Sequence, residues 1–156
     1  VNDINQDYID WGATDVGDDI GIPNDIYSLG QLNIWQRSFV NIVGETQFSN
    51  HSVFLSEKTF KPIIGLRPFI INGNPKIYEW LQQSGFDCFD DLFPVSELIR
   101  STNMEHTHKL IVDSVTNLQD SDLIGLYNKL LPRLLNNQQL FYNYAHNQIK
   151  YLGKLI

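Results

Sequence analysis

The sequence has one cysteine, few basic residues and no long apolar run. A lone Cys88 excludes an intrachain disulfide and a cysteine-cluster metal site, and its apolar neighbours predict that it fills the core. Eleven Lys and Arg against eighteen Asp and Glu give a formal charge of −7, which opposes binding to nucleic acid or an anionic membrane. No apolar run approaches the roughly 20 residues that span a bilayer. We therefore expect a soluble, cytoplasmic protein without a nucleic-acid partner.

The composition changes along the chain and divides it into an arm and a domain. Residues 1–35 are rich in Asp, Asn and Gly without periodicity, so they are predicted to be an arm or linker. Residues 36–156 are predicted to form a single domain, with an α/β core at 36–93 and a helical tail at 96–155. The chain begins with Val, which suggests a piece of something longer or a trimmed chain. A calcium loop is an alternative for three acidic residues of the arm that lack EF-hand spacing, Asp15, Asp18 and Asp19.

Two short apolar runs predict buried parallel strands. Residues 39–43 and 68–71 are nearly continuous in apolar side chains, which is typical of strands covered on both faces. Between them, Ser56 is a plausible N-cap for a helix that ends near Gly65. A second helix is predicted to close at Gly85, and residues 86–89 to form a third, short strand. The pattern predicts a βαβαβ unit, an α/β fold with a Rossmann-like parallel sheet.

The tail is predicted to be helical from residue 103 onward. The first helix has apolar residues at three- and four-residue intervals, from Met104 to Leu118. A second helix spans residues 123–134, and Pro132 should kink or break it, since proline has no N–H to donate. A third helix carries Phe141 and further aromatic residues.

Polar residues cluster where the carboxyl ends of the predicted strands should lie. In an open parallel sheet, ligands bind beyond these ends, where helix amino termini present unpaired N–H groups. Lys58 near the Ser56 cap suits a phosphate or diphosphate, while Glu45 and Glu57 suit the vicinal hydroxyls of a ribose or hexose. The same residues also fit an ordinary solvated helix start, so the pattern alone leaves both interpretations open.

Three segments, residues 39–46, 54–62 and 67–71, resemble the donor-binding half of a GT-B glycosyltransferase. More narrowly, they are similar to phage- and virus-type glycosyltransferase-like proteins. The hallmark of that group is a Glu-Thr after a strand, a Ser/Thr-Glu-Lys-Thr-Phe-Lys-Pro helix start and a Pro-Phe strand. Gly85-Phe86 and Asp90-Asp91 continue the match, and fucosyltransferases share a shorter Thr-Glu-Lys version.

The resemblance implies a role for each matching residue. Glu57 would contact ribose or sugar hydroxyls, Lys58 would contact the diphosphate and Glu45 would line the donor pocket. Lys61, one helical turn further on, would reach phosphate or face water. The full predicted donor-binding set is Glu45, Thr46, Ser56, Glu57, Lys58, Lys61, Asn72, Gly73 and Asn74.

The implied ligand is a nucleoside-diphosphate sugar, bound as a substrate without a metal or other cofactor. A complete GT-B enzyme needs a second domain for the acceptor and the usual catalytic base, which residues 1–35 cannot supply. An acceptor-binding domain outside this chain is therefore the expected partner, and the catalytic residues stay unknown. The alternative is a non-catalytic Rossmann-like binding or interaction module, because a fold does not by itself determine a function.

The other polar residues are predicted to have structural roles. Arg37 and Arg67 lie before the predicted strands, at the wrong end for a diphosphate. His106 and His108 should diverge on a helix, which argues against a two-histidine metal site. His51 is a bystander or a pocket residue. Three acidic residues after the second helix could suggest a metal site, Asp87, Asp90 and Asp91, but a helix cap at Asp90 or Asp91 is the simpler interpretation.

Overall fold

The computed structural model describes Leu29, residues 32–45 and residues 53–152, with side chains through residue 147. The predicted boundary at residue 35 falls inside the first helix, where Trp35 is buried and donates from Nε1 to the oxygen of Leu29 at 2.7 Å. Residues 1–28, with the alternative calcium loop, lie outside the described residues. The elements are α1 (Leu32–Arg37), β1 (Asn41–Gly44), α2 (Glu57–Ile64), β2 (Phe69–Asn72), α3 (Lys76–Gln83), α4 (Val95–Arg100), α5 (Met104–Asn117) and α6 (Leu123–Leu152).

The two strands form a parallel pair with α2 as the crossover between them. Gly44 lies opposite Asn72, and the N–H of Glu45 extends the ladder by donating to the oxygen of Asn72 at 3.0 Å. This confirms a βαβ unit, since parallel strands need such a crossover. β2 is buried as predicted, but β1 is not covered on both faces, because Ile42 is 52% exposed.

The predicted third strand at residues 86–89 is wrong, because these residues form no strand. Tyr78 of α3 lies along the side of β2 that faces away from β1, where its Oη accepts from the N–H of Ile71 at 2.6 Å. Asn137 of α6 accepts from the N–H of Asp87 and donates to its oxygen, both at 2.8 Å. Side chains thus take hydrogen bonds that a third strand would have made, and the described residues form a βαβ unit instead of βαβαβ.

The ends of α2 and α3 follow from local capping, as predicted. Ser56 caps α2, and its Oγ accepts from the N–H of Lys58 at 3.2 Å. After α3, Gly85 adopts a φ of +87°, and the N–H of Phe86 donates to the oxygen of Leu81 at 2.9 Å. This 6→1 bond is the Schellman motif, which needs a left-handed residue and therefore favours glycine.

The carboxyl ends of α1 and α2 hold a buried arginine. Arg67 is 1% exposed, and its guanidinium donates to the oxygen of Trp35 at 2.6 and 2.9 Å and to that of Leu66 at 2.9 Å. It also lies 5.2 Å from the ring centroid of Tyr127. Carbonyl oxygens at helix carboxyl ends carry partial negative charge, which stabilises a cation there. The predicted structural role of Arg67 is confirmed.

One long helix, α6, spans the part of the tail where the second and third helices were predicted. α6 continues through Pro132, although an interior proline costs a helix about 3 kcal/mol. Burial on both sides of the proline offsets this cost. Leu130 before it is 3% exposed, Leu134 after it is 1% exposed, and the ring of Phe141 lies 5.3 Å from that of Phe60 on α2. No helix among the described residues is long and apolar enough to cross a membrane.

Candidate functional site

One edge of the sheet brings together the carboxyl ends of both strands and the amino termini of α2 and α3. Thr46 and His51, which the sequence also placed here, lie outside the described residues. Lys61 is half-buried one turn along α2. We call the remaining predicted residues at this edge the carboxyl-edge cluster, which consists of Glu45, Ser56, Glu57, Lys58, Asn72, Gly73 and Asn74.

Glu45 connects the end of β1 to the start of α2. Its side chain is 3% exposed, and its Oε1 accepts from the N–H of Ser56 at 3.2 Å and from Oγ1 of Thr59 at 2.5 Å. Its Oε2 accepts from Oγ of Ser56 at 2.7 Å. The dipole of α2 further favours a negative charge at this position. Both carboxylate oxygens are therefore engaged by the protein, and the expected contact with a donor sugar stays a prediction.

Glu57 and Lys58 lie on the exposed side of the same helix start. Their ion pair measures 3.1 Å, with side-chain exposures of 17% for Glu57 and 44% for Lys58. Burial opposes the charge on Glu57, but the hydrogen bond from Lys58 and the charges of Lys58 and Lys61 hold its pKa below the ordinary value. Such exposed ion pairs contribute about 0–1 kcal/mol to the free energy of folding, so Lys58 can exchange this carboxylate for a phosphate at little cost.

The turn after β2 is shaped by packing and by a local hydrogen bond. A Cβ atom at Gly73 would lie 2.9 Å from Cβ of Glu45, so a larger residue would push the two strand ends apart. Asn74 is 1% exposed, and its Oδ1 accepts from the N–H of Lys76 at 3.0 Å at the start of α3. Both residues thus position backbone, and their contact with a ligand stays a prediction.

His108 joins this edge although the sequence did not place it there. Its Nε2 lies 3.2 Å from Nδ2 of Asn72, because α5 packs against β2. The Oδ1 atom of Asn72 is buried and has no hydrogen-bond partner among the described residues. One sequence feature could have identified His108, which lies three residues before the buried Ile111 and so shares its helix face.

Two of the aspartates after α3, Asp87 and Asp91, form ion pairs, while Asp90 accepts from Nε2 of Gln82 at 3.2 Å. Arg133 of α6 donates to Asp87 from Nη2 at 2.9 Å and to Asp91 from Nη1 at 2.9 Å. These hydrogen bonds outweigh the opposing effect of burial and hold the pKa values of both carboxyl groups below their ordinary range. The predicted cap at Asp90 or Asp91 is wrong, because Pro94 occupies the N-cap position of α4.

Two further groups with nucleophilic chemistry, Cys88 and Tyr78, are buried. Cys88 is 2% exposed, and burial raises the pKa of its thiol to about 12. The thiol is therefore protonated near neutral pH, and its predicted role in the core is confirmed. Burial also raises the pKa of Tyr78 above its ordinary value, and its hydroxyl is bonded to β2.

A cavity of about 400 Å³ lies between α5, the start of α6 and the residues just before α4. Its apolar walls are four leucines and Pro94, and its polar lining residues are Asp113, Ser114, Asn117 and Ser121. None of the carboxyl-edge cluster lines it, so it is separate from the predicted site.

Comparison with protein-family models, with curated proteins and with solved structures finds no match to this chain. The resemblance of residues 54–62 to glycosyltransferases therefore stays a prediction from the sequence. The structure adds the arrangement of the carboxyl-edge cluster and of His108 beside it.

Proposed function

We propose that this chain binds a nucleotide sugar at the carboxyl-edge cluster. The observation that carries the proposal is the position of the Glu57–Lys58 pair, exposed at the amino terminus of α2 beyond the paired ends of two parallel strands. Ligands of parallel sheets bind at this position. The helix dipole and the ammonium group of Lys58 both favour anionic oxygens there. A diphosphate is the anion that the resemblance also implies.

The two side chains of the pair have different tasks in this proposal. Lys58 contacts the diphosphate, and Glu57 accepts hydrogen bonds from the hydroxyls of the ribose or the sugar. Glu45 acts indirectly, because its three hydrogen bonds fix the start of α2 against β1. This arrangement makes Glu45 a positioning residue, whereas the resemblance alone implies a direct contact.

A role in glycosyl transfer would follow from donor binding. As the bond to the sugar breaks, negative charge develops on the departing nucleoside diphosphate, and Lys58 and the dipole of α2 would offset it. Transfer also needs an acceptor and a catalytic base, which an acceptor-binding partner domain would supply. Donor binding is accordingly the function that we propose for this chain.

Calorimetric titration with UDP, GDP, UDP-glucose and GDP-mannose tests the proposal. We expect saturable binding of at least one of these ligands. Lys58→Ala should weaken it roughly 10- to 150-fold, which corresponds to the loss of one charge-assisted hydrogen bond. Glu57→Ala should also weaken the binding.

Lys129→Ala is the matched control, because it removes an exposed lysine of α6 two residues from Tyr127. Tyr127 contacts Arg67 at the amino end of β2, the opposite end of the sheet from the cluster. This variant should bind as the unmodified protein does. Failure of all four ligands to bind would refute the proposal and would favour the non-catalytic interaction module.

A further inference from the structure

A histidine of α5 lies beside the carboxyl end of β2. His108 lies 36 positions from Asn72 in the sequence, yet its Nε2 is 3.2 Å from the amide nitrogen of that residue. The side chain of His108 is exposed. Part of the imidazole ring is therefore accessible at the same edge of the sheet as the carboxyl-edge cluster.

The contact with Asn72 relates the orientation of its amide to the position of the proton on the His108 ring. An amide nitrogen only donates, so a neutral ring that faces Nδ2 of Asn72 accepts at Nε2 and carries its proton on Nδ1, whereas a half-turn of the amide would reverse both roles. None of the described residues accepts a hydrogen bond from this Nδ1–H. His108 thus presents an oriented donor that a ligand oxygen can take.

The same amide leaves a buried acceptor without a donor. Oδ1 of Asn72 is unpaired among the described residues, although proteins pair the great majority of buried polar atoms. The atom itself is closed to solvent, so a ligand O–H or N–H would reach it through a rotation of the half-buried Asn72 side chain. Asn72 and His108 together therefore offer one acceptor and one donor.

Glu45 connects this pair to the Glu57–Lys58 pair. Its N–H donates to the oxygen of Asn72 at 3.0 Å, and its carboxylate accepts from the N–H of Ser56 at 3.2 Å. Because neighbouring strands lie about 4.8 Å apart, one strand spacing and one glutamate side chain separate Asn72 from the start of α2. A nucleotide sugar, with a sugar ring on each side of its diphosphate, is long enough to contact both.

We infer that His108 and Asn72 form a neutral subsite that hydrogen-bonds the hydroxyl groups of a sugar ring of the nucleotide sugar. Hydroxyl groups both donate and accept, which matches the donor and acceptor on offer, whereas a diphosphate only accepts. The inference rests on the proposed function, because it takes Lys58 as the residue that binds the phosphates. It adds a specificity determinant from α5, outside the βαβ unit.

Calorimetry with UDP and UDP-glucose, and with GDP and GDP-mannose, tests the subsite. His108→Ala should weaken binding about 2- to 12-fold, the loss of one neutral hydrogen bond. His108→Gln should restore part of the affinity, because its amide can accept from Asn72 and still donate to the ligand. A loss for the nucleotide sugars alone assigns the subsite to the transferred sugar, and an equal loss for the diphosphates assigns it to the ribose.

His106→Ala is the control, since it removes an exposed histidine two residues away on the same helix. If Lys58→Ala weakens binding and His108→Ala does not, this inference is overturned and the proposed function stands. If no ligand binds the unmodified protein, both are overturned. Nitrogen NMR of the ligand-free protein gives an independent check, because a neutral His108 ring protonated at Nε2 would contradict the inference.

Discussion

Replacing Glu45 with alanine should destabilise the protein far more than removing an ordinary acidic residue from a helix start. Glu45 is 3% exposed, and its carboxylate accepts three hydrogen bonds, two from Ser56 and one from Thr59. The substitution leaves all three donors without this acceptor. It also removes a negative charge from the amino terminus of α2, so the start of that helix loses its attachment to β1.

The size of the effect follows from these contacts. A buried donor left unpaired costs about 1–3 kcal/mol, and the two hydroxyl groups can rotate to other acceptors while the backbone N–H of Ser56 cannot. Loss of the helix-start charge adds about 0.3–1 kcal/mol. We expect Glu45→Ala to cost on the order of 1–4 kcal/mol, out of the 5–15 kcal/mol that is typical of a domain. Glu45→Gln keeps one acceptor oxygen and should cost roughly half as much.

Urea unfolding at constant pH measures this difference, and Glu79→Ala is the matched control. Glu79 is an exposed acidic residue in the first turn of α3, so its loss should cost only about 0.3–1 kcal/mol. A free energy of unfolding for Glu45→Ala within about 1 kcal/mol of the control would refute the anchoring role. Full stability of Glu45→Gln together with lost nucleotide-sugar binding would instead indicate direct contact with the ligand.

Two further substitutions test the packing that supports the site. Arg133→Met should cost about 1–2 kcal/mol near neutral pH, a value reduced for solvent screening. Because Arg133 lowers the pKa of Asp87, this difference should be full above about pH 4 and shrink as the pH falls through the lowered pKa; a constant difference in urea unfolding would contradict it. Gly65→Ala should cost about 1–3 kcal/mol, because its Cβ would lie 2.7 Å from Cε3 of Trp35. Gly44→Ala, which meets nothing within 4 Å, is the control, and equal Tm values for the two variants would contradict the overlap.

The sequence predicted those features that depend on residues close together in the chain. The cap at Ser56 and the glycine closure at Gly85 are bonds between residues two to five positions apart. The apolar composition of residues 69–72 fits a strand that is covered on both faces. The exposed Lys58 beside Glu57 follows from the same helix start. Short-range interactions and apolar patterning are enough to determine features of this kind.

The third strand failed as a prediction because its hydrogen-bonding groups found other partners. Residues 86–89 have a strand-like composition, but Asn137, which bonds both backbone groups of Asp87, lies 50 positions away. Tyr78 takes an N–H of β2 in a similar way. Pro132 likewise indicated a break that the packing of α6 overrode. Sequence patterns predict the structure that a segment prefers on its own. These outcomes depended instead on hydrogen bonds and packing with other elements of the fold.

The candidate site also combines features that the sequence predicted with features that only the tertiary structure shows. The sequence by itself placed Glu57, Lys58 and Ser56 at a helix start beyond a parallel strand, because one local motif contains them all. Only the tertiary structure decided that Glu45 is engaged by that helix start and that His108 reaches Asn72, 36 positions away. The physical reason is that a hydrogen bond depends on distance and direction in space, and these are set by how α2 and α5 pack on the sheet.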